Sequence, residues 1–313
     1  MNSIEIVSMG RCVPQRILTN DDLSKMVDTN DEWIVTRTGI HQRHIVDEGM
    51  TNADIATQAA RDALDRASVD PNTLAAIIVA TFTPDMFVPT VSATVHDRLG
   101  LNPATLALDL NGACCGFIYA MRTAQGLLAL NPDKPILVVA SEAVSSVLDF
   151  TDRSTCVLFG DGAAAAVVRS SDTPSWFVAG TRGRTDAISC PAHYAGDKPG
   201  IGMKGQEVFR FACTSIERSI RDLLKQSGLA LGDIEHVVCH QANGRIISHV
   251  IKHLGADPAQ FFMDVGEYGN TSAASIPLAL ADMDYQGLLH RGDRVLMTGF
   301  GAGLCEGGML LTW

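Results

Sequence analysis

The segment beginning at Arg61, RDALDRASVDPNTLAAIIVA, aligns without a gap to the segment beginning at Arg221, RDLLKQSGLALGDIEHVVCH. Arg61 pairs with Arg221, Asp62 with Asp222, Leu64 with Leu224, Leu74 with Ile234, and Ile77 and Ile78 with Val237 and Val238. The match continues in the same order. Leu99-Gly100 and Pro103-Ala104 return as Leu254-Gly255 and Pro258-Ala259, Asp109 as Asp264, and QGLL at 125–128 as QGLL at 286–289, each time ahead of a strand-like run. Matches kept in one order indicate two fused copies of one unit. Val- and Ile-rich runs alternate with helical patterns in both copies, so the unit is α/β. The expected halves are 1–172 and 173–313, joined near the Ser/Asp/Thr/Pro stretch at 170–175. Residues 181–205, rich in Gly and Pro and without periodicity, read as a lid or binding loop.

A chain of 313 residues, 46% hydrophobic and 19% charged, can bury a large core. It shows neither the roughly 18-residue apolar run of a membrane span nor a basic-then-apolar leader, so a soluble cytoplasmic protein is expected, with no membrane partner. The net charge of −11 argues against nucleic acid as a partner. Eight cysteines include no C-x-x-C pair, and Cys114 and Cys115 are adjacent, which points to reduced thiols rather than a disulfide frame. No His/Cys/Asp cluster has metal-ligand spacing, so no metal site is expected. The run Gly299-Phe300-Gly301-Ala302-Gly303 has the wrong spacing for a dinucleotide loop, and too little chain follows it to form a βαβ unit.

Duplication also predicts a site, because equivalent positions of two fused units face each other across a pseudo-twofold axis. Cys114 follows the strand TLALDL and the turn NGA and opens a helix, where the helix dipole is expected to favour thiolate. The matching stretch of the second half is DVGEYGNTSAAS, which puts Asn270 within a residue or so of the counterpart of Cys114. His240 ends the strand HVVCH, and ligands of open α/β sheets gather at the carboxyl ends of strands. A lone strand-end histidine is more often a hydrogen-bonded core residue, and an asparagine beside glycine more often a turn. Only the three residues together, in duplicated positions, point to one catalytic centre.

DEWIVTRTGI (31–40), ACCGF (113–117), TDRSTCVLFGDGA (151–163), GQEVF (205–209), HQANGRI (240–246), GNTSAASIP (269–277) and GFGAG (299–303) occur in this order. Through them the chain resembles, over essentially its whole length, the β-ketoacyl-acyl carrier protein synthase III family of the thiolase-like superfamily, the initiating condensing enzymes of bacterial fatty-acid synthesis. The resemblance implies a five-layered αβαβα thiolase-like fold, a homodimer and an acyltransferase. Its partners would be an acyl-CoA and malonyl-acyl carrier protein, with acyl-CoA a substrate and no cofactor held permanently. Cys114 would accept the acyl group, and His240 and Asn270 would promote decarboxylation of the malonyl thioester. A thiolate both attacks a thioester well and leaves well, while neutral His and Asn donors stabilise an enolate without a metal.

The same resemblance assigns the acyl oxyanion to the backbone N–H groups of Cys114 and Ala302. It assigns CoA contacts to Trp33, Arg37, Arg153 and Asn243. Trp33 and Arg37 lie four apart, so ring and guanidinium share a helix face and could clamp a purine. Arg210 and Arg245 match carrier-protein contacts, and Arg245, His249, Lys252 and His253 form a stripe on one helix face. On an acidic chain that stripe, Lys252 included, would dock an acidic carrier protein. Val88, Val144 and Phe209 are the expected acyl-pocket residues, and Val88, in place of a bulkier aromatic, implies a roomier pocket for longer or branched primers. Cys115 departs from the family, which has a small residue there.

Three rivals share parts of this pattern. In a thiolase, the Cys305-Glu306-Gly307 run would supply an acid/base cysteine; a specialised-metabolism relative would pass acyl groups to other acceptors; a non-catalytic member would not need all three catalytic residues.

Overall fold

The computed structural model describes residues 3–191 and 200–313. The first half carries strands β1 (Ser3–Cys12), β2 (Arg16–Thr19), β3 (Gln42–Ile45), β4 (Ala76–Ala80), β5 (Leu106–Leu110), β6 (Ile136–Glu142) and β7 (Gly162–Ser171). Its helices are α1 (Asn20–Ser24), α2 (Asp31–Thr38), α3 (Asn52–Ala67), α4 (Val91–Leu99), α5 (Gly116–Leu128) and α6 (Arg153–Cys156). The second half carries β8 (Trp176–Arg184), β9 (Ile188–Ser189), β10 (Gly202–Met203), β11 (His236–Cys239), β12 (Arg294–Gly301) and β13 (Gly303–Thr312), with α7 (Gly205–Ser227), α8 (Gly244–Leu254), α9 (Val265–Tyr268) and α10 (Ser275–Tyr285).

The duplication is written into the sheets. One runs β1-β7-β6-β4-β5 and the other β8-β13-β12-β11. Along each, the first two pairings are antiparallel and the next is parallel. The first sheet ends in the parallel β4–β5 pair, and the second has only a parallel bridge from Phe261 to Val237 at the corresponding edge. The register agrees too: Ala76 sits opposite Ile136, and its repeat partner His236 opposite Val295.

Burial explains why these strands are almost wholly apolar. Ile78, Ala80, Val138, Ala140, Ala164 and Ala166 point inward onto α5 and α10. Their neighbours Ile77, Val79, Leu137, Val139, Ala163 and Ala165 point outward onto α3 and α4. A strand covered on both faces loses the polar alternation of a half-exposed one. In the second half, Val237, Leu296 and Leu310 meet Ile216, Ile220 and Ile247 of α7 and α8. The layers are therefore helix, sheet, central helix pair, sheet, helix. Each fully buried Ile or Val side chain contributes about 1.5–3 kcal/mol, and the largest apolar cluster surrounds the α5–α10 layer that carries the site.

The loop expected at 181–205 is partly ordered structure. β8 runs to Arg184, β9 pairs antiparallel with β10, and α7 begins at Gly205; positions 192–199 lie outside the described residues. Pairing of β8 with the distant β13 makes this strand, a non-local cause that composition does not register. Among the described residues no helix is long and apolar enough to cross a membrane.

Candidate active site

A cavity of about 420 Å³ opens between the halves, and Cys114, His240 and Asn270 all line it, together with Phe300 and Ala302. Cys114 sits in a single 3₁₀ turn, Ala113–Cys115, between β5 and α5. The turn packs against the end of β12 so closely that a Cβ on Gly301 would lie 3.0 Å from the Cys114 backbone nitrogen and 3.1 Å from its Cβ. Glycine at 301 is thus required for the approach, which brings Ala302 to the same cavity wall. Ala302 is not among the described residues with positive φ, so the alanine fits without backbone strain.

The thiol differs from the expectation of a dipole-activated thiolate. Burial pushes Cys114 up to about 12, against a lowering contribution from the Ser272 hydroxyl. Loss of water around a charged sulfur is the first cause of the rise, and helix α5 begins two residues on, at Gly116. Cys115 is fully buried and hydrogen-bonds Cys305 instead of facing the cavity. The Cys305 sulfur, 5% exposed, lies 3.6 Å from the Gly112 carbonyl oxygen.

Asn270 reaches the site by a repeated local device. The Ser272 N–H donates to Asn270 Oδ1 at 2.9 Å, and the Ala113 N–H donates to Asn111 Oδ1 at 3.1 Å. Ser272 and Ala113 both have positive φ, 51° and 46°. Asn270 is therefore the counterpart of Asn111, and that of Cys114 is Ala273, three residues further on. The sequence alignment placed Asn270 closer because the connections before the two turns differ in length. With Oδ1 engaged, the Asn270 amide hydrogens are the groups left to meet a ligand.

His240 follows β11, fixed by its N–H donating to the Thr298 carbonyl at 2.8 Å. Its Nδ1 lies 2.5 Å from the Ser275 hydroxyl, and its buried Nε2 has no hydrogen-bond partner among the described residues. Burial alone drives the imidazole down to about 3, so the ring is neutral at physiological pH. The Phe300 ring meets it edge-on at 5.3 Å, and Gly299 leaves room for its Cβ.

At the outer end, α2 is capped by Asn30 and closed by Gly39 in the left-handed conformation, φ 78°. The Trp33 ring lies under two guanidinium groups, Arg37 at 4.7 Å and Arg153 at 4.9 Å from its centroid. Asn243 ties this corner to α8: its Oδ1 accepts from the Arg245 N–H at 2.8 Å and its Nδ2 donates to the Arg37 carbonyl at 3.1 Å. Ile246, Ile247, Val250 and Ile251 bury one face of α8, while Arg245, His249, Lys252 and His253 are exposed on the other, with Arg210 exposed on α7. Arg245 stacks over Phe209, which lines the cavity.

Two of the three expected pocket residues are elsewhere. Val88 is 80% exposed, beside Phe87 at 68%, and does not line the cavity. Val144 is fully buried one layer behind, packed with Val147, Leu148, Phe159 and Ile201. The apolar wall comes instead from Phe82, Phe159, Ile188 and Ile201. Within one chain neither valine reaches the cavity, since sequence position does not show which layer a side chain enters.

Residues 108–187 match the family described as 3-oxoacyl-[acyl-carrier-protein (ACP)] synthase III, and residues 224–313 its C-terminal counterpart. The chain is 43% identical over 325 aligned residues to the β-ketoacyl-[acyl-carrier-protein] synthase III of Clostridium acetobutylicum, covering 100% of this chain and 99% of that one. The chain belongs to the β-ketoacyl-acyl carrier protein synthase III family. Among solved structures, the 3-oxoacyl-[acyl-carrier-protein] synthase III of Aquifex aeolicus superposes with a TM-score of 0.93 at 40% identity, covering 99% of this chain and 100% of that one. The priming β-ketosynthase of the R1128 polyketide pathway superposes with a TM-score of 0.94 at 34% identity, covering 99% and 96%. This synthase III family member is thus a condensing acyltransferase with the thiolase fold.

Ser272 and Ser275 contact Cys114 and His240 in this synthase III chain, and Glu142 is buried nearby at the end of β6. The two serines lie inside the GNTSAASIP motif, where small hydroxyl residues carry no signal of their own in sequence. The signal for Glu142 is a lone carboxylate closing the apolar run ILVVASE at a strand's carboxyl end.

Proposed function

We propose that this chain joins the acyl group of an acyl-CoA to the malonyl unit on acyl carrier protein, releasing CO₂ and giving a 3-oxoacyl-acyl carrier protein at the start of fatty-acid synthesis. The convergence of Cys114, His240 and Asn270 on one cavity carries this reading. Cys114 takes the acyl group, its carbonyl oxygen received by the backbone N–H groups of Cys114 and Ala302. CO₂ loss then places negative charge on the malonyl thioester oxygen, which His240 Nε2–H and the Asn270 amide stabilise. Two neutral donors in a dry cavity suit this task, since each is worth about 10²–10³ in rate when aimed at developing charge.

Acyl-CoA enters as a substrate and not as a resident cofactor. Trp33, Arg37 and Arg153 suit an adenine with its phosphates, the guanidiniums moving aside to admit the purine. Arg210, Arg245 and Lys252 suit an acidic carrier protein. β5 is the edge of its sheet among the described residues, and Leu106 on it is 48% exposed, which supports pairing with a second copy in a homodimer. Eight free cysteines support a reducing, cytoplasmic setting. The likeness to a priming ketosynthase of a polyketide pathway favours a second reading, the same condensation serving specialised metabolism.

Intact-protein mass spectrometry after incubation with a panel of acyl-CoAs tests the reading. A mass gain on Cys114 identifies the primer, and its loss on adding malonyl-acyl carrier protein establishes condensation. An adduct that persists with that second substrate overturns it.

A further inference from the structure

Arg43, on β3, is the largest fully buried side chain among the described residues. Its guanidinium donates only to neutral oxygens. Nη1 donates to the Leu18 carbonyl at 3.1 Å and to Asn20 Oδ1 at 2.8 Å, and Nη2 donates to the Val157 carbonyl at 2.8 Å. Nε has no hydrogen-bond partner, and no carboxylate pairs with the group among the described residues. Burial lowers it to about 10, so the charge is kept at neutral pH. A buried cation held by neutral acceptors alone is costly, and an apolar side chain of similar volume often packs such a place as well or better. Packing alone therefore does not account for an arginine here.

The segments that the guanidinium joins do account for it. On one side, Asn20 Nδ2 donates to Asp31 Oδ1 at 2.8 Å and to the Ile40 carbonyl at 2.9 Å. Asp31 opens α2, and Ile40 follows the Gly39 that closes it, so Asn20 ties both ends of the helix that carries Trp33 and Arg37. On the other side, the Val157 carbonyl begins the segment that holds Asn270. The Asn270 N–H donates to the Leu158 carbonyl at 2.8 Å, and the Gly160 N–H donates to the Asn270 carbonyl at 3.1 Å. Arg43 also fills the space beside this pairing. A Cβ on Gly160 would lie 3.0 Å from the Arg43 Cβ, and one on Gly269 3.4 Å from it.

We infer that Arg43 is a positioning residue for the condensation, holding the Asn270 amide in fixed register with helix α2 through segment 157–160 on one side and Asn20 on the other. The inference rests on the enolate-stabilising role proposed above for Asn270. Arg43 does not line the cavity, so it acts only through what it holds. Its planar fork fixes the direction of several donors at once, which the single ammonium of a lysine does not. Asn270 Oδ1 is already engaged by the Ser272 N–H, so the amide donor moves with the backbone around it. A misplacement of about 1 Å can cost about 10²-fold in rate.

The test measures decarboxylation of malonyl-acyl carrier protein and single-turnover CoA release separately, for the wild type, Arg43→Met, Arg43→Lys, Asn270→Ala and the two double variants. Arg43→Met should slow decarboxylation roughly tenfold to 10²-fold. It should also raise KM for acyl-CoA about threefold or more, while acylation at saturating acyl-CoA stays within about threefold. Arg43→Lys, which keeps the charge and loses the fork, should fall between Arg43→Met and the wild type. In the Asn270→Ala background, either change at 43 should slow decarboxylation by no more than about twofold further. Losses that multiply in the double variants, or saturated acylation that falls along with decarboxylation, would mark a general packing role and overturn the inference. A wild-type decarboxylation rate in Arg43→Lys would overturn it too, since the fork would then set nothing. Should Arg43→Met fail to fold, Arg43→Lys carries the same cycle. Undiminished decarboxylation in Asn270→Ala alone would instead overturn the role of Asn270, and the inference with it.

Discussion

His240 Nδ1 lies 2.5 Å from the Ser275 hydroxyl, which already accepts the Gln241 N–H at 3.3 Å. The serine proton is therefore free to point at Nδ1, which sets the imidazole proton on Nε2, toward the cavity. Ser275→Ala should lower decarboxylation roughly tenfold or more by releasing the tautomer, with acylation of Cys114 little changed. CO₂ release and CoA release, measured separately, check the split. Equal loss of both would contradict a tautomer-setting role for Ser275.

Because burial takes His240 down to about 3 from 6.5, the neutral ring persists far into acid. The decarboxylation half-reaction should therefore show no acidic limb at the ordinary histidine value. The sign for stability is opposite to that of a paired histidine. The folded value is depressed, so folding stability is fully present above about 6.5 and is lost as pH falls toward about 3. A rate profile on the wild type over mildly acidic pH decides the catalytic part.

Cys114 and Cys115 should separate cleanly. Cys114→Ser should abolish the acyl adduct, whereas Cys115→Ser, altering a buried thiol that faces Cys305, should keep it. Peptide mapping after acyl-CoA exposure locates the label. An adduct on Cys115 would reassign the nucleophile.

Glu142 predicts a stability change of definite sign. Its folded-state value is raised from 4.5 to about 7, so the wild type is penalised as pH rises through that window. Glu142→Gln should match the wild type near pH 4 and exceed it by about 3 kcal/mol at pH 8, because each tenfold change in proton affinity is worth about 1.4 kcal/mol. Denaturant midpoints at the two pH values test this. A variant less stable at pH 8 contradicts it.

Arg245→Glu/Lys252→Glu should weaken binding of malonyl-acyl carrier protein at low salt, chiefly through association rate, and less so at high salt as screening grows. Arg245 also covers Phe209, so acyl-CoA binding to the double variant serves as the control. Unchanged affinity for the carrier protein at low ionic strength would end the docking assignment.

The repeat, the α/β class and the meeting of Cys114, His240 and Asn270 were legible in the chain. Hydrophobic pattern, turn chemistry and internal homology are local or periodic, and linear order preserves them. Tertiary structure alone decided which layer a side chain enters. Val88 and Val144 lie near the site in sequence terms, yet one is exposed and the other packs behind Phe159. Structure also decided the protonation of the centre. A helix N-terminus is visible in the sequence, but the desolvation that holds Cys114 as a thiol and His240 as a neutral base comes from walls contributed by both halves. Burial depends on every neighbour at once, and the close approaches that matter here, Gly301 to Cys114 and Ser272 to Cys114, exist only when the two copies close on each other.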